Sequence, residues 1–170
     1  MWVIPYAIIA LGVILIDQRS KILVTSAMYE GQVSLIPRVL RFTYVENTGA
    51  AFGSLSDHRW VFMVLSTIGI LAVAAYLYFY VKTKIGRLAL ALIIGGGIGN
   101  MIDRLFRGFV VDFIDFCAFP RVWPWVFNIA DAAVCIGAAL FIFDLFRDLL
   151  KEIKEEREKK NKEQENGNDD

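Results

Sequence analysis

The chain has 170 residues, 56% of them hydrophobic, with a mean hydropathy of +0.50; four long apolar runs carry that excess, too much for one small water-soluble core. Eighteen basic and 18 acidic residues cancel to a formal net charge of zero. They crowd the C-terminal end while the runs are nearly uncharged, so a membrane body is set apart from a charged tail and no nucleic-acid partner is expected. Cys117 and Cys135 have the spacing of neither a zinc ligand pair nor a disulfide framework, and read as small packing hydrophobes.

The first run begins at Trp2, reaches Ile16 and continues through Ile22, Leu23 and Val24. No basic segment precedes it and no small-residue cleavage site follows, so it reads as a retained span rather than a signal peptide. Asp17 and Lys21 are four apart on one helix face, the spacing of an interfacial ion pair. From about Ser26 to Arg59, Val33, Leu35, Val39, Leu40, Phe42, Tyr44 and Val45 predict short strands and a small extracytoplasmic β-sheet. Asn47, Thr48, Gly49, Ala50 and Ala51 then suit a tight turn or close backbone approach.

The second run, Trp60 to Val81, has aromatic residues at both ends, as interfacial anchors would. The third, Leu88 to Ile102, is roughly 15 residues against the ~20 a span needs, so it must borrow polar neighbours such as Arg104 or sit where the bilayer is thinned. Its GGGIG segment puts Gly95 and Gly99 at close-packing spacing, and Asn100, Asp103 and Arg104 follow on a shared face, suited to a hydrogen-bond clamp. The fourth, Trp125 to Phe146, is interrupted only by Asn128, Asp131 and Asp144. Beyond Lys151 a solvated helix is expected to run into disorder.

Lys82, Lys84 and Arg87, and the cations from Arg147 onward, place the second connection and the tail on the cytoplasmic side. The fold class expected is an all-α membrane protein with four transmembrane helices and a small extracytoplasmic β-sheet between helices 1 and 2. Residues 1–150 would form that membrane domain, with the outer β and loop region at about 26–59; residues 151–170 would form a charged, disordered cytoplasmic tail. Both termini would be cytoplasmic and the polar constellation would lie near the outer leaflet.

His58 is the sole histidine and no GxSxG or HExxH is present, so neither a serine triad nor a metal centre is expected. What remains in quantity is Asp, and two carboxylates sharing a proton can activate water without His or metal. Ionisable residues in or beside spans are expensive and default to function. A second class competes: a small transporter or channel subunit whose polar residues line a path, although four spans without an internal repeat suit transport poorly.

DQRSK at 17–21, FTYVENTGAAF at 42–52, GNMIDR at 99–104, VVDF at 110–113 and FNIAD at 127–131 resemble, in order, the signature blocks of the bacterial lipoprotein (type II) signal peptidases. The resemblance implies an aspartyl endopeptidase of the bacterial inner or plasma membrane. Such enzymes cut prolipoproteins just before a diacylglyceryl-modified cysteine, and are the target of globomycin. It implies a catalytic pair of Asp112 and Asp131, a choice that elimination alone leaves open among Asp103, Asp112 and Asp115. Asp17, Lys21, Asn47, Gly49, Asn100, Asp103, Arg104 and Asn128 would support or line the site. The partners implied are lipidated prolipoproteins, membrane lipids and globomycin-like inhibitors, with no cofactor.

Overall fold

The computed structural model describes residues 3–28, 31–48, 59–118 and 124–166. Four helices, α1 (Val3–Met28), α2 (Arg59–Phe79), α3 (Lys84–Phe106) and α4 (Ile129–Asn166), are joined by β1 (Gln32–Ile36), β2 (Leu40–Asn47), β3 (Val110–Asp115) and β4 (Val126–Phe127). The strands form one antiparallel sheet in the order β1-β2-β3-β4.

The helices are inside out by the standard of a water-soluble protein. On α1, Asp17 and Lys21 are fully buried while Ile8, Leu15, Ile16 and Leu23 are exposed. Leu71 and Phe79 on α2 and Ile142 on α4 are exposed as well, the pattern expected where hydrocarbon is the solvent. Among the described residues, α3 and the Ile129–Asn161 part of α4 are long and apolar enough to cross a bilayer, whereas the apolar part of α2, Met63–Phe79, is shorter.

Helix α3 is central, packing against α1, α2 and α4. Thr83 caps its start by accepting from Gly86 N–H at 3.0 Å. Its glycines let the neighbours approach: a Cβ on Gly96 would lie 2.4 Å from the Ala130 carbonyl oxygen, and one on Gly99 would lie 2.8 Å from Asp17 Oδ2. GGGIG is thus a packing device that also makes room for a carboxylate.

The end of α3 aims the chain into the sheet. Arg107 and Gly108 N–H both donate to the Asp103 carbonyl, and Gly108 takes the left-handed φ of 87° that glycine tolerates best. The chain then turns back as β3, whose Val110, Val111, Asp112 and Phe113 are all buried. Strand β4 leads directly into Asn128 and the start of α4.

Several expectations need correction. The sheet is not confined to residues 26–59, because β3 and β4 come from the connection between α3 and α4. The third run does borrow its polar neighbours, as expected: the helix extends through Lys84, Arg87, Asp103 and Arg104 to 23 residues. The solvated helix expected from Lys151 continues α4 as far as Asn166, with the ion pairs Lys151–Glu155 and Lys154–Glu158 at i,i+4 spacing. Cys135 is exposed and Cys117 half-buried, so neither is a core residue.

Candidate active site

Asn128 follows β4 and caps α4, and the cap is reciprocal. Its Oδ1 accepts from Asp131 N–H at 2.9 Å, while Asp131 Oδ2 accepts from Asn128 N–H at 3.2 Å. This is the capping box written with Asn and Asp, and it fixes the Asp131 carboxyl against the first turn of α4, where unpaired N–H groups favour negative charge. The other end of Asn128 reaches across: Nδ2 shares its two N–H groups among Asp112 Oδ1 at 2.7 Å, Asn100 Oδ1 at 3.1 Å and the Val111 carbonyl at 3.3 Å.

Asp112 sits on β3 opposite Val45 of β2, and the next-but-one residue of that strand, Asn47, donates Nδ2 to Asp112 Oδ2 at 2.9 Å. Asp131 is held in the same manner by Asn100, whose Nδ2 donates to Oδ1 at 2.7 Å. The two carboxyls are therefore joined through two amides, Asp112 to Asn128 to Asn100 to Asp131. Burial pushes the Asp112 carboxyl up to about 6; the hydrogen bond from Asn47 opposes this, the negative charge of Asp131 adds to it, and the Asn128 bond and the Lys21 charge oppose it less.

Behind the amides lies a fully buried ionic cluster. Lys21 Nζ lies 2.9 Å from Asp17 Oδ2, 2.9 Å from Asp103 Oδ2 and 2.9 Å from Asn100 Oδ1. An ammonium can only donate, so Lys21 settles which end of the Asn100 amide faces it and leaves Nδ2 for Asp131. Asp17 Oδ1 accepts from Ala130 N–H at 2.9 Å, tying α1 to the start of α4, and Asp103 Oδ2 accepts from Val111 N–H at 3.1 Å, tying α3 to β3.

The structure thus brings together Asp17, Lys21, Asn47, Asn100, Asp103, Asp112, Asn128 and Asp131. The Asp17–Lys21 pair is present, but it is buried rather than interfacial. Arg104 is half-buried beside the cluster, within electrostatic reach of Asp131, Asp112 and Asp103. Gly49 lies outside the described residues. Asp115, the remaining rival carboxylate on β3, turns instead to Arg41 of β2 in an ion pair.

Sequence reasoning missed two members. Gln18 Nε2 donates to Asp17 Oδ2 at 3.1 Å, to the Gly99 carbonyl at 3.1 Å and to Asp103 Oδ1 at 3.3 Å. Arg107 bridges Asp103 Oδ1 at 3.5 Å and Thr25 Oγ1 at 3.3 Å. For Gln18 and Thr25 the signal was helical spacing: residues 17, 18, 21 and 25 fall on one side of α1.

A family profile described as Signal peptidase (SPase) II matches residues 9–147. A protein named lipoprotein signal peptidase from Halalkalibacterium halodurans is 41% identical over 152 residues, 88% of this chain and 97% of that one. Another of the same name from Halothermothrix orenii is 44% identical over 144 residues, 82% and 94% of the two chains. Two solved structures, each described as a bacterial membrane enzyme determined by the in meso method, are 33% and 34% identical to it, with TM-scores of 0.79 and 0.78. Each covers 85% of this chain, which in turn covers 89% and 94% of theirs.

Proposed function

The chain belongs to the signal peptidase II family, and we propose that it cuts its substrates as an aspartyl endopeptidase with Asp112 and Asp131 as the reacting pair. It removes the signal peptide from prolipoproteins, and family membership leaves the transport reading without support. The observation that carries the mechanism is the pair of carboxyls linked through Asn128 and Asn100, with Asp112 pushed up to about 6.

Asp131, at the start of α4, takes a proton from water as the water oxygen attacks the scissile carbonyl carbon. Asp112, holding the shared proton, gives it to the carbonyl oxygen. Collapse of the tetrahedral intermediate returns a proton from that oxygen to Asp112, while Asp131 protonates the departing amine. Both carboxyls end as they began, with no covalent intermediate. Asn47, Asn100 and Asn128 orient the carboxyls; Asp17, Lys21 and Asp103 hold Asn100 and the ends of α3 and α4 in place. Arg104 lines the cleft. The scissile bond precedes the diacylglyceryl-modified cysteine, whose acyl chains stay in the surrounding lipid, and globomycin-like inhibitors compete at the same cleft.

All four helices span the membrane in this reading, with both termini cytoplasmic and the Asp112–Asp131 end near the outer leaflet. Lys82, Lys84 and Arg87 at the opposite end of α3 support that orientation. A cysteine placed at Thr83 that reacts with an impermeant thiol reagent added outside intact cells would overturn it.

The test of the chemistry is mass analysis of a lipidated prolipoprotein after incubation with purified protein. A single cut before the lipid-bearing cysteine is expected. Asp112→Asn and Asp131→Asn should each lower turnover by roughly 10³-fold or more, with the double variant no worse than either single one, while Asp115→Asn keeps most activity. Near-normal turnover by Asp112→Asn, or its loss in folded Asp115→Asn, would assign the chemistry to other residues.

A further inference from the structure

At the Thr83 end of the molecule, about 24 Å along α3 from Asn100, a groove between α2 and α4 passes from hydrocarbon to charge. Ala72, Val73, Leu90, Phe141 and Leu145 wall an apolar cavity of about 400 Å³. Tyr76, Phe141 and Leu145 are shared with a second cavity of about 260 Å³, whose other walls include Tyr80, Lys82, Asp144 and Asp148. Thr83 and Asp148 in turn belong to an outer rim with Arg147, Lys151, Glu152 and Glu155, where Lys151 and Glu155 form an exposed pair at 3.7 Å. Shared walls make the three one continuous groove. From Phe141 to Lys151 it follows α4 for ten residues, about 15 Å, with its apolar walls towards Phe141 and its charged ones from Asp144 onward.

The charged end is built for both signs. Asp144 is buried at 4% exposure, and its Oδ2 receives the Thr83 hydroxyl. Its Oδ1 accepts no hydrogen bond; Arg147 Nη2 lies 2.9 Å away as a charge, off hydrogen-bonding geometry. Lys82 and Glu152 have no ion-pair partner among the described residues, while Arg147 is shared between Asp144 and Asp148. A wholly anionic headgroup here would meet Asp144, Asp148, Glu152 and Glu155, and a wholly cationic one would meet Lys82, Arg147 and Lys151. A zwitterion matches both sets.

We propose that this groove holds one bilayer phospholipid with a primary-ammonium headgroup. One acyl chain lies along Val73, Phe141 and Leu145, the phosphate faces Lys82 and Lys151, and the ammonium faces the carboxylates of Asp148 and Glu152. A primary ammonium has three N–H donors for those oxygens, whereas a quaternary ammonium of the same charge has none.

Purified full-length protein, titrated in detergent with phosphatidylethanolamine, phosphatidylcholine or phosphatidylglycerol of matched chains, would show the preference by native mass spectrometry. Phosphatidylethanolamine should be retained, one per chain, at about tenfold lower concentration than the other two. Lys82→Ala combined with Asp148→Ala, at exposed and half-exposed positions, should bring the three lipids level. Val73→Trp should weaken retention of all three by filling the apolar stretch. Prolipoprotein cleavage in mixed micelles should be unchanged in each variant, which separates a failure here from a failure of the catalytic reading and also reports folding. Equal retention of the three lipids by the parent protein, a preference for phosphatidylglycerol, or a preference that survives the double substitution would each overturn the proposal. If Val73→Trp fails to fold, the double charge variant decides alone.

Discussion

Two lysine–carboxylate pairs with the same helical spacing show how differently one local pattern can be used. On α1, Lys21 and Asp17 lie 2.9 Å apart with both side chains fully buried. On the distal part of α4, Lys154 and Glu158 lie 3.8 Å apart with side chains 79% and 59% exposed. In water the second pair exchanges one solvation for another and its attraction is screened. The first has no water to fall back on, so every charge and lone pair must be answered by protein. The answers come from elsewhere in the chain: Asp103 and Asn100 from α3, Ala130 N–H from α4 and Val111 N–H from β3. Burial converts a helix-surface pair into the junction that positions the candidate catalytic carboxyls.

The sharpest way to break the contrast is to remove the buried cation. Lys21→Met keeps the stem and deletes the charge, leaving Asp17 and Asp103 buried without their ammonium and Asn100 free to turn its amide. A loss of about 3–5 kcal/mol is expected, read as a fall in thermal unfolding temperature in detergent, with cleavage lost alongside. Adding Asp103→Asn to Lys21→Met should recover part of the stability, since it removes one of the stranded charges. If Lys21→Met unfolded at the parent temperature, the cluster would be no more consequential than the tail.

How much of this was legible in the sequence follows from the range of each interaction. The helices announce themselves through apolar runs, and the site residues through blocks that keep their order. The burial of Lys21 is invisible locally, because its second carboxylate, Asp103, lies on another helix; the i,i+4 spacing of Asp17 and Lys21 fits a surface pair equally well. The sheet was half legible. In β2, Phe42, Tyr44 and Val45 carry strand character, but in VVDFID four consecutive residues are buried, so no alternation marks β3, and the Gly108 turn that folds it back on α3 has no partner in sequence. Polar flanks hid the true ends of α3, because a helix ends where its caps are satisfied, here at Thr83 and Gly108, rather than where apolarity stops.

Asp112 gives a second, smaller way to sharpen the comparison, since a buried carboxyl should register pH where a tail carboxylate does not. Its pKa is raised from 3.8 to about 6, so the folded protein holds that proton more tightly than the unfolded chain. The stabilisation is fully present below about pH 3.8 and is lost as pH rises through about 6. Between pH 7.5 and 5 the parent protein should therefore gain about 1 kcal/mol relative to Asp112→Asn, measured as the difference between their unfolding free energies in the same detergent. A difference that stays level across that window would show that burial leaves the Asp112 carboxyl unperturbed.

The least effect belongs to the exposed pair, and its smallness is what the comparison requires. Lys154→Ala removes a partner at 3.8 Å and sends Glu158 back to water that already solvates most of it. Alanine is also the better helix former, so the propensity change partly offsets the lost attraction. Unfolding free energy should shift by no more than about 0.5 kcal/mol in either direction, and the shift should shrink further in high salt. Cleavage should not change, because no hydrogen bond or packed side chain connects Lys154 to the Asn100–Asn128 network among the described residues. A salt-insensitive loss of more than about 1 kcal/mol, beyond what exposed pairs contribute, would mean that the helical continuation of α4 beyond Lys151 rests on a surface after all. The division between a buried junction and a solvated extension would then have to be redrawn.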